Sequence, residues 1–543
     1  MFASNPRHVL SLLLAACMLA ACGGSDDVAP PPTPMSLTLE KLGAYDGMVL
    51  GAAEITAYDA ASKRLFVVNG ANGSVDVLDL LTPASPKLAG TISVSAIGGA
   101  VNGVAVHDGL VALAVEAKAK TSPGVVAFYN ASDLKLLSTV TVGALPDMVT
   151  FTADGKTLLV ANEGEPNSYG LADSVDPEGS ISIVTVNRGA TPTVATADFK
   201  EFIGKEAALR TSGIRIYGPG ANAAQDIEPE YIAVSGDGKK AYVTLQENNA
   251  IAIVDIASAK VTSLKPLGVK NHNVAGFGLD ASDEDGAANT NSGTPAIKIA
   301  AQPVKGMYLP DGIASFSVNG VNYLITANEG DARADWPGFN EEKRVRDHCP
   351  LGLDPVVFGT DAANLTFDSN LGRLRVTSTP NGAHTGKNAA GQCTELFSFG
   401  ARSFSIWSDA ITLVYDSGDQ LEQRTKALAN ANFNASHDNN TLDSRSASKG
   451  PEPEGVVVAV FGAKTFAFIG LERIGGVMVY DVSVPAAPVF VTYLNTRSAV
   501  TGDRGPEGLA LIMADKSPNG KPLLIVGNEV SGTTAIYQLN LAY

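Results

Sequence analysis

Histidine, cysteine and tryptophan are scarce in this chain of 543 residues, which contains 6, 4 and 2 of them. No two histidines are spaced as a metal-binding pair, and the Gly-x-Ser-x-Gly, His-Glu-x-x-His and glycine-rich phosphate-loop motifs are missing. A histidine-dependent nucleophilic mechanism therefore has little to rest on. Lys and Arg number 39 against 56 Asp and Glu, and the formal charge of −17 disfavours nucleic acid as a partner.

The N-terminal residues predict export. Arg7 precedes an apolar run over residues 9–16, and the segment ends in Leu19-Ala20-Ala21-Cys22. A basic start, a short apolar core and small residues are typical of a secretory signal, and the run is too short to span a bilayer. The ending resembles a bacterial lipobox, which implies cleavage before Cys22 and acylation of its thiol.

The expected organisation follows from this signal. Residues 1–21 are interpreted as a lipoprotein signal peptide, residues 22–35 as an extended tether, and residues 36–543 as one folded domain. The predicted partner is a membrane, reached through the lipid anchor. Because Gly23 rather than Asp follows the cysteine, the outer membrane or cell surface is the expected location.

Two cysteines remain for the folded domain. Cys17 leaves with the signal and Cys22 carries the lipid, so Cys349 and Cys393 are left. In an oxidising compartment the simplest interpretation is one disulfide between them. A metal site built from Cys349 and the adjacent His348 is the alternative, but it lacks a second Cys-x-x-Cys or His pair.

A two-part element recurs along the chain about every 45–50 residues. An acidic residue opens an apolar strand, and a second strand ends in Asn-Glu or a near equivalent. The clearest copies open with Pro146-Asp147, Pro229-Glu230, Pro310-Asp311, Pro453-Glu454 and Pro506-Glu507, and weaker copies begin at Glu54, Asn102 and Arg402. The sequence therefore contains about eight copies of the element.

The copies predict an all-β fold, a single β-propeller. In the first copy four strand-like runs follow one another with no helical stretch between them, as in a propeller blade, and a long β-sandwich is the alternative. In the third run, Val75 and Val77 alternate with Asp76 and Asp79, a pattern that predicts a half-covered strand. Eight blades are favoured.

Two features bear on blade number and closure. Seven blades with an irregular insert are the alternative, since the Arg402 copy lacks a clear fourth strand. The last copy shows three strands, and residues 36–40 form a strand without a blade of its own. We therefore expect this N-terminal strand to complete the last blade and close the ring, because an open ring leaves sheet edges unpaired.

Long inserts interrupt the repeat near residues 164–225, 270–305 and 330–394. Insertions on a rigid scaffold often carry function. One of them contains Asp280-Ala281-Ser282-Asp283-Glu284-Asp285-Gly286, which resembles a calcium loop in composition but lacks the full EF-hand spacing. A solvated acidic loop is the favoured interpretation.

The acidic residues that open the copies are the candidate site. The innermost strand of a blade starts beside the central channel, so Glu54, Asp147, Glu230, Asp311, Glu454 and Glu507 are expected to lie close together. Such a ring of like charges must be protonated, paired or bridged by cations, which makes calcium the candidate cofactor. The alternative is that these carboxylates cap turns or accept hydrogen bonds from neighbouring blades. The glutamates that end the second strands are expected to be structural.

Several longer strings resemble one known family. They include Ala161-Asn162-Glu163-Gly164-Glu165-Pro166, Gly400-Ala401-Arg402-Ser403-Phe404, Gly450-Pro451-Glu452-Pro453-Glu454-Gly455 and Gly527-Asn528-Glu529-Val530-Ser531-Gly532. These strings are similar to the choice-of-anchor I family, over nearly the whole chain from about Leu37. The resemblance implies a secreted, surface-held propeller with calcium or mineral interaction, and it supplies no catalytic residue.

Two functions are compatible with these patterns. The first is non-catalytic binding of calcium or an extracellular ligand by a surface-anchored propeller. The second is a calcium-dependent phosphoesterase, in which channel carboxylates hold cations that activate water. An esterase also needs basic side chains beside the metals, and the candidates are Arg333, Lys343, Arg344, Arg346, Arg402 and Arg473. Their convergence on the carboxylates favours the enzyme, and their dispersal favours binding.

Overall fold

The computed structural model describes residues 32–380, 385–498 and 501–543. The predicted signal peptide, the lipidation site Cys22 and most of the predicted tether lie outside the described residues. Within them, β-strands predominate and helices are short. None of the helices in the described ranges combines the length and apolar character needed to cross a bilayer.

The strands are numbered in chain order. They are β1 (Ser36–Asp46), β2 (Thr56–Asp59), β3 (Arg64–Asn69), β4 (Ser74–Asp79), β5 (Lys87–Ser93), β6 (Val101–His107), β7 (Leu110–Val115), β8 (Pro123–Asn130), β9 (Leu136–Ala144), β10 (Pro146–Phe151), β11 (Thr157–Asn162), β12 (Ser180–Thr185), β13 (Thr193–Asp198), β14 (Ile232–Val234), β15 (Lys240–Leu245), β16 (Ala250–Asp255), β17 (Lys260–Pro266), β18 (Val269–Asn271), β19 (Lys305–Met307), β20 (Ile313–Val318), β21 (Val321–Asn328), β22 (Glu342–Arg344), β23 (Arg375–Thr377), β24 (Phe397–Ser398), β25 (Ser403–Ser408), β26 (Leu413–Asp416), β27 (Pro453–Phe461), β28 (Lys464–Leu471), β29 (Val477–Asp481), β30 (Val489–Leu494), β31 (Pro506–Ile512), β32 (Leu523–Asn528) and β33 (Thr533–Ala542).

The strands of the described residues form seven four-stranded sheets and one five-stranded sheet. Sheets 1 to 4 are β2–β5, β6–β9, β10–β13 and β14–β17. Sheet 5 is β20-β21-β25-β26, sheet 6 is β27–β30, and sheet 7 is β31-β32-β33-β1. Neighbouring strands in these seven sheets are antiparallel. The five-stranded sheet, called the insert sheet, has the order β18-β19-β24-β23-β22.

The helices lie in the inserts and connections. They are α1 (Glu206–Ser212), α2 (Ala223–Asp226), α3 (Val345–His348), α4 (Pro355–Phe358), α5 (Ala362–Leu365) and α6 (Gln420–Leu428). The range 164–225 also contains β12 and β13, which belong to sheet 3. The added segments around that sheet are therefore residues 164–179 and 199–231.

Apolar clusters hold neighbouring sheets together. One cluster lies between each consecutive pair of sheets, from sheets 1 and 2 through sheets 6 and 7. A further cluster joins sheet 7 to sheet 1, with Ile525 and Ile536 packed against Leu65 and Val67. The first strands likewise contact one another in cyclic order, β2-β6-β10-β14-β20-β27-β31 and back to β2. This is the arrangement of a β-propeller.

Face-to-face packing changes the expected strand pattern. In the third strands β4 and β16, every residue but the last is buried, so no half-covered face exists. The expectation of a half-covered strand at Asp76 is therefore wrong. The Asp76 carboxylate is buried and accepts hydrogen bonds from Asn69 at 2.9 Å and Thr91 at 3.2 Å. A strand covered by a neighbouring sheet on each face has no solvent side for alternation to mark.

The segment beginning at Arg402 is not a separate copy of the repeat. Its strand β25 is the third strand of sheet 5, paired with β21. The Asn328 side chain at the end of β21 donates to Ser403 and Ser405 at 3.2 and 2.8 Å. The described residues therefore contain seven four-stranded sheets where eight blades were expected. The error arises because a long insert separates the second and third strands of this sheet.

The N-terminal strand pairs with the C-terminal one. β1 runs antiparallel to β33, from Ser36 opposite Ala542 to Asp46 opposite Thr533. This pairing makes β1 the outer strand of sheet 7, and Leu37 is buried in the cluster between sheets 6 and 7.

Cys349 and Cys393 form the predicted disulfide, with their Cα atoms 5.7 Å apart. Both are buried in the apolar cluster of the insert sheet, together with Leu279, Val345 and Leu371. Because the thiols are used in this bond, the alternative metal site with His348 is not formed. The bridge joins two residues 44 positions apart in the chain, across a segment that holds α4, α5 and β23.

Loss of this disulfide should destabilise the insert sheet. For Cys349→Ser/Cys393→Ser we expect the free energy of unfolding to fall by roughly 2–5 kcal/mol, because the open loop gains conformational entropy when unfolded. Thermal unfolding and limited proteolysis of residues 345–396 would measure the change. The parent chain with and without dithiothreitol is the control. Equal stability and equal cleavage in all samples would contradict the prediction.

Candidate functional site: an acidic central cavity

A cavity of about 480 Å³ lies where the first strands of the sheets begin. All six carboxylates predicted to converge line it, namely Glu54, Asp147, Glu230, Asp311, Glu454 and Glu507. They come from six of the seven sheets, and in sheet 2 the lining residue is Asn102. One equivalent position in every sheet thus contributes to the lining of the cavity.

A glycine follows the opening polar residue in four sheets because the next sheet approaches closely there. A Cβ at Gly508 would lie 2.6 Å from the Glu54 carbonyl oxygen, and one at Gly455 would lie 2.2 Å from that of Glu507. Gly312 and Gly103 stand in the same relation to the next sheet. The Gly312 N–H also donates to the Glu454 carbonyl at 3.2 Å. Backbone contact between neighbouring first strands therefore positions the acidic residues next to one another.

Irregular pairing turns the acidic side chains away from the ladder. The register between first and second strands shifts at Pro146/Val149, Pro453/Val456 and Pro506/Leu509. Each shift spans the residue that carries the carboxylate. An extra unpaired residue in one strand redirects its side chain, as β-bulges do near binding sites.

Burial raises the pKa of these carboxyls. It raises the pKa of Glu54 to about 8, with help from Glu529 and Asp147, and the pKa of Asp147 to about 6. Burial followed by repulsion from acidic neighbours holds the pKa values of four others well above the usual range, those of Glu230, Asp311, Glu454 and Glu507. The ring therefore favours protons or cations over free carboxylates.

The structure adds acidic residues outside the predicted ring, among them three glutamates that end second strands and were expected to be structural. Glu163, Glu165, Glu329, Asp331 and Glu472 also line the cavity. Burial and nearby carboxylates raise the pKa of Glu163 well above its usual range and that of Glu165 to about 7. The Asn-Glu ends of the second strands were the available signal. These strands end beside the starts of the first strands, so both sets reach the same space.

One side of the cavity carries its own counter-ions. Lys449 lies 2.7 Å from Glu329 and 3.2 Å from Glu452, and Arg473 lies 2.9 Å from both Glu452 and Glu472. Arg473 and Lys120 are the basic residues that line the cavity. Arg473 is already paired with Glu452 and Glu472. Lys120 is largely exposed and lies beside Glu116.

The other carboxylates keep oxygens without partners. Within the described ranges, Oε2 of Glu454 and Oε2 of Glu507 are buried and have no hydrogen-bond partner. The same is true of Oε2 of Glu247 beside the cavity. Calcium prefers oxygen ligands, and buried carboxylate oxygens without hydrogen-bond partners can serve as such ligands. The residues present therefore fit a hard cation.

The basic residues required for phosphate binding do not converge on the cavity. Arg333 is buried against Asp226 and Glu228 at 2.6 and 3.0 Å. Arg402 is buried and bonds Glu422 at 2.7 Å. The remaining candidates are Lys343 and Arg346, which are exposed, and Arg344 and Arg473, of which Arg473 alone lines the cavity.

The cyclic sheets and their acidic axial cavity define this protein as a β-propeller. The family model of the choice-of-anchor I domain matches residues 54–485. The chain therefore belongs to the choice-of-anchor I family.

Named relatives cover parts of the chain. Gigasin-3a of Magallana gigas is 28% identical over 195 residues, which is 32% of this chain and 67% of that protein. The mesenchyme-specific cell surface glycoprotein of Strongylocentrotus purpuratus is 28% identical over 295 residues, 48% of this chain and 35% of that protein. The chain thus spans about a third of the length of this second relative.

Solved structures resemble the chain only distantly. Hydrazine synthase of Kuenenia stuttgartiensis has a TM-score of 0.45 at 13% identity and covers 90% of this chain and 95% of its own. The Cps50 (Swd1) β-propeller domain of Myceliophteria thermophila has a TM-score of 0.41 at 9% identity, with 93% and 100% covered. Similarity at this level carries no weight for function.

Proposed function

We propose that this chain is a surface-held β-propeller whose central cavity binds divalent cations, calcium in particular, without catalysing a reaction. The supporting observation is the convergence of buried carboxylates from six sheets on one cavity of about 480 Å³. The cyclic contacts of the first strands support a closed ring of seven blades around it. A closed ring holds the carboxylates rigidly, so a cation relieves their repulsion at little conformational cost.

The surface location is part of the proposal. Family membership supports it, and so does the similarity to a mesenchyme-specific cell surface glycoprotein. The lipobox-like Leu19-Ala20-Ala21-Cys22 supports attachment to an outer membrane or cell surface through the thiol of Cys22. Cys22 itself lies outside the described residues.

Binding without catalysis is preferred over the phosphoesterase because of the basic residues. A phosphate beside metal ions needs free cationic side chains. Arg473 is the candidate that reaches the cavity, and it already pairs with Glu452 and Glu472. Lys120, which also lines the cavity, lies 3.6 Å from Glu116. Arg333 and Arg402 are buried in other ion pairs.

Calcium titration tests the proposal. We expect the full-length chain, stripped with EDTA at pH 7.5, to gain thermal stability as calcium is added. One site occupied at a hundred times its Kd stabilises the fold by about 2.7 kcal/mol. For Glu230→Gln/Asp311→Asn we expect most of this gain to be lost, because two cavity carboxylates are removed. Asp173→Asn/Glu201→Gln, which removes two exposed carboxylates, should keep it.

The same samples decide between binding and catalysis. They would be assayed on p-nitrophenyl phosphate with and without EDTA. A calcium-dependent rise in melting temperature without turnover supports the proposal. Turnover that EDTA and Glu230→Gln both abolish would replace it with the phosphoesterase. No response of the parent chain to calcium would overturn cation binding.

A further inference from the structure

A second group of carboxylates lies apart from the central cavity. Asp280 and Asp285 belong to the insert between β18 and β19, and Asp443 follows α6. One oxygen of each lies within 4.8 Å of an oxygen of the other two. None of the three lines the central cavity. Two segments more than 150 residues apart in the chain thus meet at this cluster.

The acidic loop is buried rather than solvated as expected. Asp280 and Asp443 are 0% exposed and Asp285 is 8% exposed. The loop folds back on itself, and the Lys298 and Ala296 N–H groups donate to Asp280 Oδ2 and Asp285 Oδ1 at 2.6 and 3.0 Å. Packing against the residues after α6 excludes the remaining water.

Each carboxylate accepts its hydrogen bond on one oxygen, and the backbone of the two segments is also bonded. The Asp280 N–H donates to Glu422 at 3.0 Å, and the Asp443 N–H donates to the Phe433 carbonyl at 2.8 Å. The Ser446 hydroxyl donates to Asp443 Oδ1. These bonds fix the side chains and leave the second oxygens available.

Two of those second oxygens are buried and have no partner. Oδ1 of Asp280 and Oδ2 of Asp443 are buried without a hydrogen bond to any residue that the structure describes. Oδ1 of Asn434 shares this state, and the Asn434 amide donates to Glu422 and Ser446 at 2.9 and 2.8 Å. Leaving a buried acceptor unsatisfied is costly, so buried acceptors of this kind suit a bound cation.

Among the residues that the structure describes, no basic side chain forms an ion pair with the three aspartates, although the charge of Lys298 acts on Asp285. Arg402 is bound to Glu422 and to the carbonyls of Asp280, Ser446 and Ser448. Arg373 pairs with Asp283 at 2.5 Å and with Glu284 at 3.1 Å. Burial, together with the neighbouring carboxylates, raises the pKa of Asp280 to about 9 and that of Asp443 to about 7.

Two other groups of potential metal ligands are already paired with basic residues or joined by a covalent bond. Glu329, Glu452 and Glu472 lie close together, but Lys449 and Arg473 neutralise them. His348 lies beside Cys349 and Cys393, whose sulfurs are bonded to each other. Of these three groups of potential metal ligands in the described residues, the aspartate cluster is the one without an ion pair to a basic residue and without a covalent bond between its members.

We propose that Asp280, Asp285 and Asp443 bind one calcium ion, with the Asn434 side-chain carbonyl oxygen as a further ligand. All-oxygen ligands from irregular segments suit calcium, whose coordination is flexible, better than magnesium, which demands octahedral geometry, or zinc, which prefers nitrogen and sulfur. The ion joins the insert between β18 and β19 to the residues after α6. Its role is to fasten these inserts to the propeller, independently of the central cavity.

Hydrogen exchange on the full-length chain tests this site. We expect calcium to slow amide exchange in residues 279–300 and 430–448 of the parent protein. Asp443→Asn should abolish this protection and lower the calcium bound in equilibrium dialysis by one ion per chain. Asp438→Asn, which removes an exposed carboxylate from the same segment, should change neither.

Variants distinguish calcium binding at the aspartate cluster from calcium binding at the central cavity. Glu230→Gln/Asp311→Asn should leave protection of residues 279–300 intact, whatever it does at the central cavity. Asp285→Asn should weaken calcium binding on the order of tenfold or more. This variant replaces Asp443→Asn in the experiment if Asp443→Asn does not fold. Absence of calcium-dependent protection in these two segments of the parent chain would overturn the proposal, with the aspartates then held neutral by protons.

Discussion

Without divalent cations, the melting temperature should fall as the pH rises from about 5 to about 8. Burial raises the pKa of Glu54 and Glu247 to about 8, whereas the unfolded chain loses these protons near pH 4.5. The folded state therefore binds more protons than the unfolded state across this interval, and its stability falls as they are lost. Each such group contributes roughly 1.4 kcal/mol per pH unit.

Groups with the opposite shift do not cancel this decrease. Burial lowers the pKa of His272 well below its usual range and that of His348 to about 4. These two histidines favour the folded state as the pH rises, but only up to the unfolded value of about 6.5. The pKa of Glu452, lowered by Lys449, Arg445 and Arg473 despite burial, affects stability only below about pH 4.5. The two histidines therefore offset part of the decrease below pH 6.5 and none of it above that pH.

Thermal unfolding in EDTA at half-unit pH steps measures this slope. Saturating calcium should flatten it, because bound cations replace the protons. Glu454→Gln/Glu507→Gln should flatten it without calcium, since two ionising groups are removed. Asp173→Asn/Glu201→Gln should leave it unchanged. A melting temperature that is constant or rises from pH 6.5 to 8 in EDTA would contradict the prediction.

Arg333→Met should lower the free energy of unfolding by about 3–5 kcal/mol, because it leaves two buried carboxylates without their cation. The Arg333 guanidinium is 2% exposed and bonds Asp226 at 2.6 Å and Glu228 at 3.0 Å. It also lies over the Tyr217 ring, 4.6 Å from the centroid. The Tyr217 hydroxyl in turn donates to Glu341 at 2.7 Å, so several inserts depend on this position.

Urea unfolding monitored by intrinsic fluorescence measures the loss. Lys343→Met, at an exposed position in the same insert, should change stability by less than about 0.5 kcal/mol. Arg333→Met/Asp226→Asn/Glu228→Gln should recover part of the loss, since the unpaired charges are gone. A loss of unfolding free energy below about 1 kcal/mol for Arg333→Met would show that the fold does not depend on the ion pairs of Arg333 with Asp226 and Glu228.

The interlocking inserts could not be predicted from the sequence. Arg215, Glu341 and Thr377 meet in one buried network although they come from three separate segments. Nothing local marks Arg215 or Arg333 as buried, because isolated arginines usually lie at the surface. Their partners are set by how the inserts pack over the ring.

The recurring element, in which an acidic residue opens an apolar strand, was sufficient to predict the propeller and the convergence of six carboxylates. This worked because each sheet repeats the same local element, so an equivalent position in every copy meets at the axis. The disulfide followed from the scarcity of cysteine. The assignment of Arg402 to a separate copy failed because strand pairing within sheet 5 spans a long insert.

Tertiary structure alone decided which acidic residues are unpaired. Glu329 and Glu472 resemble Glu163 in the sequence, yet Lys449 and Arg473 neutralise the first two. Asp280 lies in a loop whose composition predicts exposure, yet it is buried beside Asp443. Local sequence determines the strands and the position of each carboxylate on them, whereas burial and pairing depend on distant segments that only the folded chain brings together.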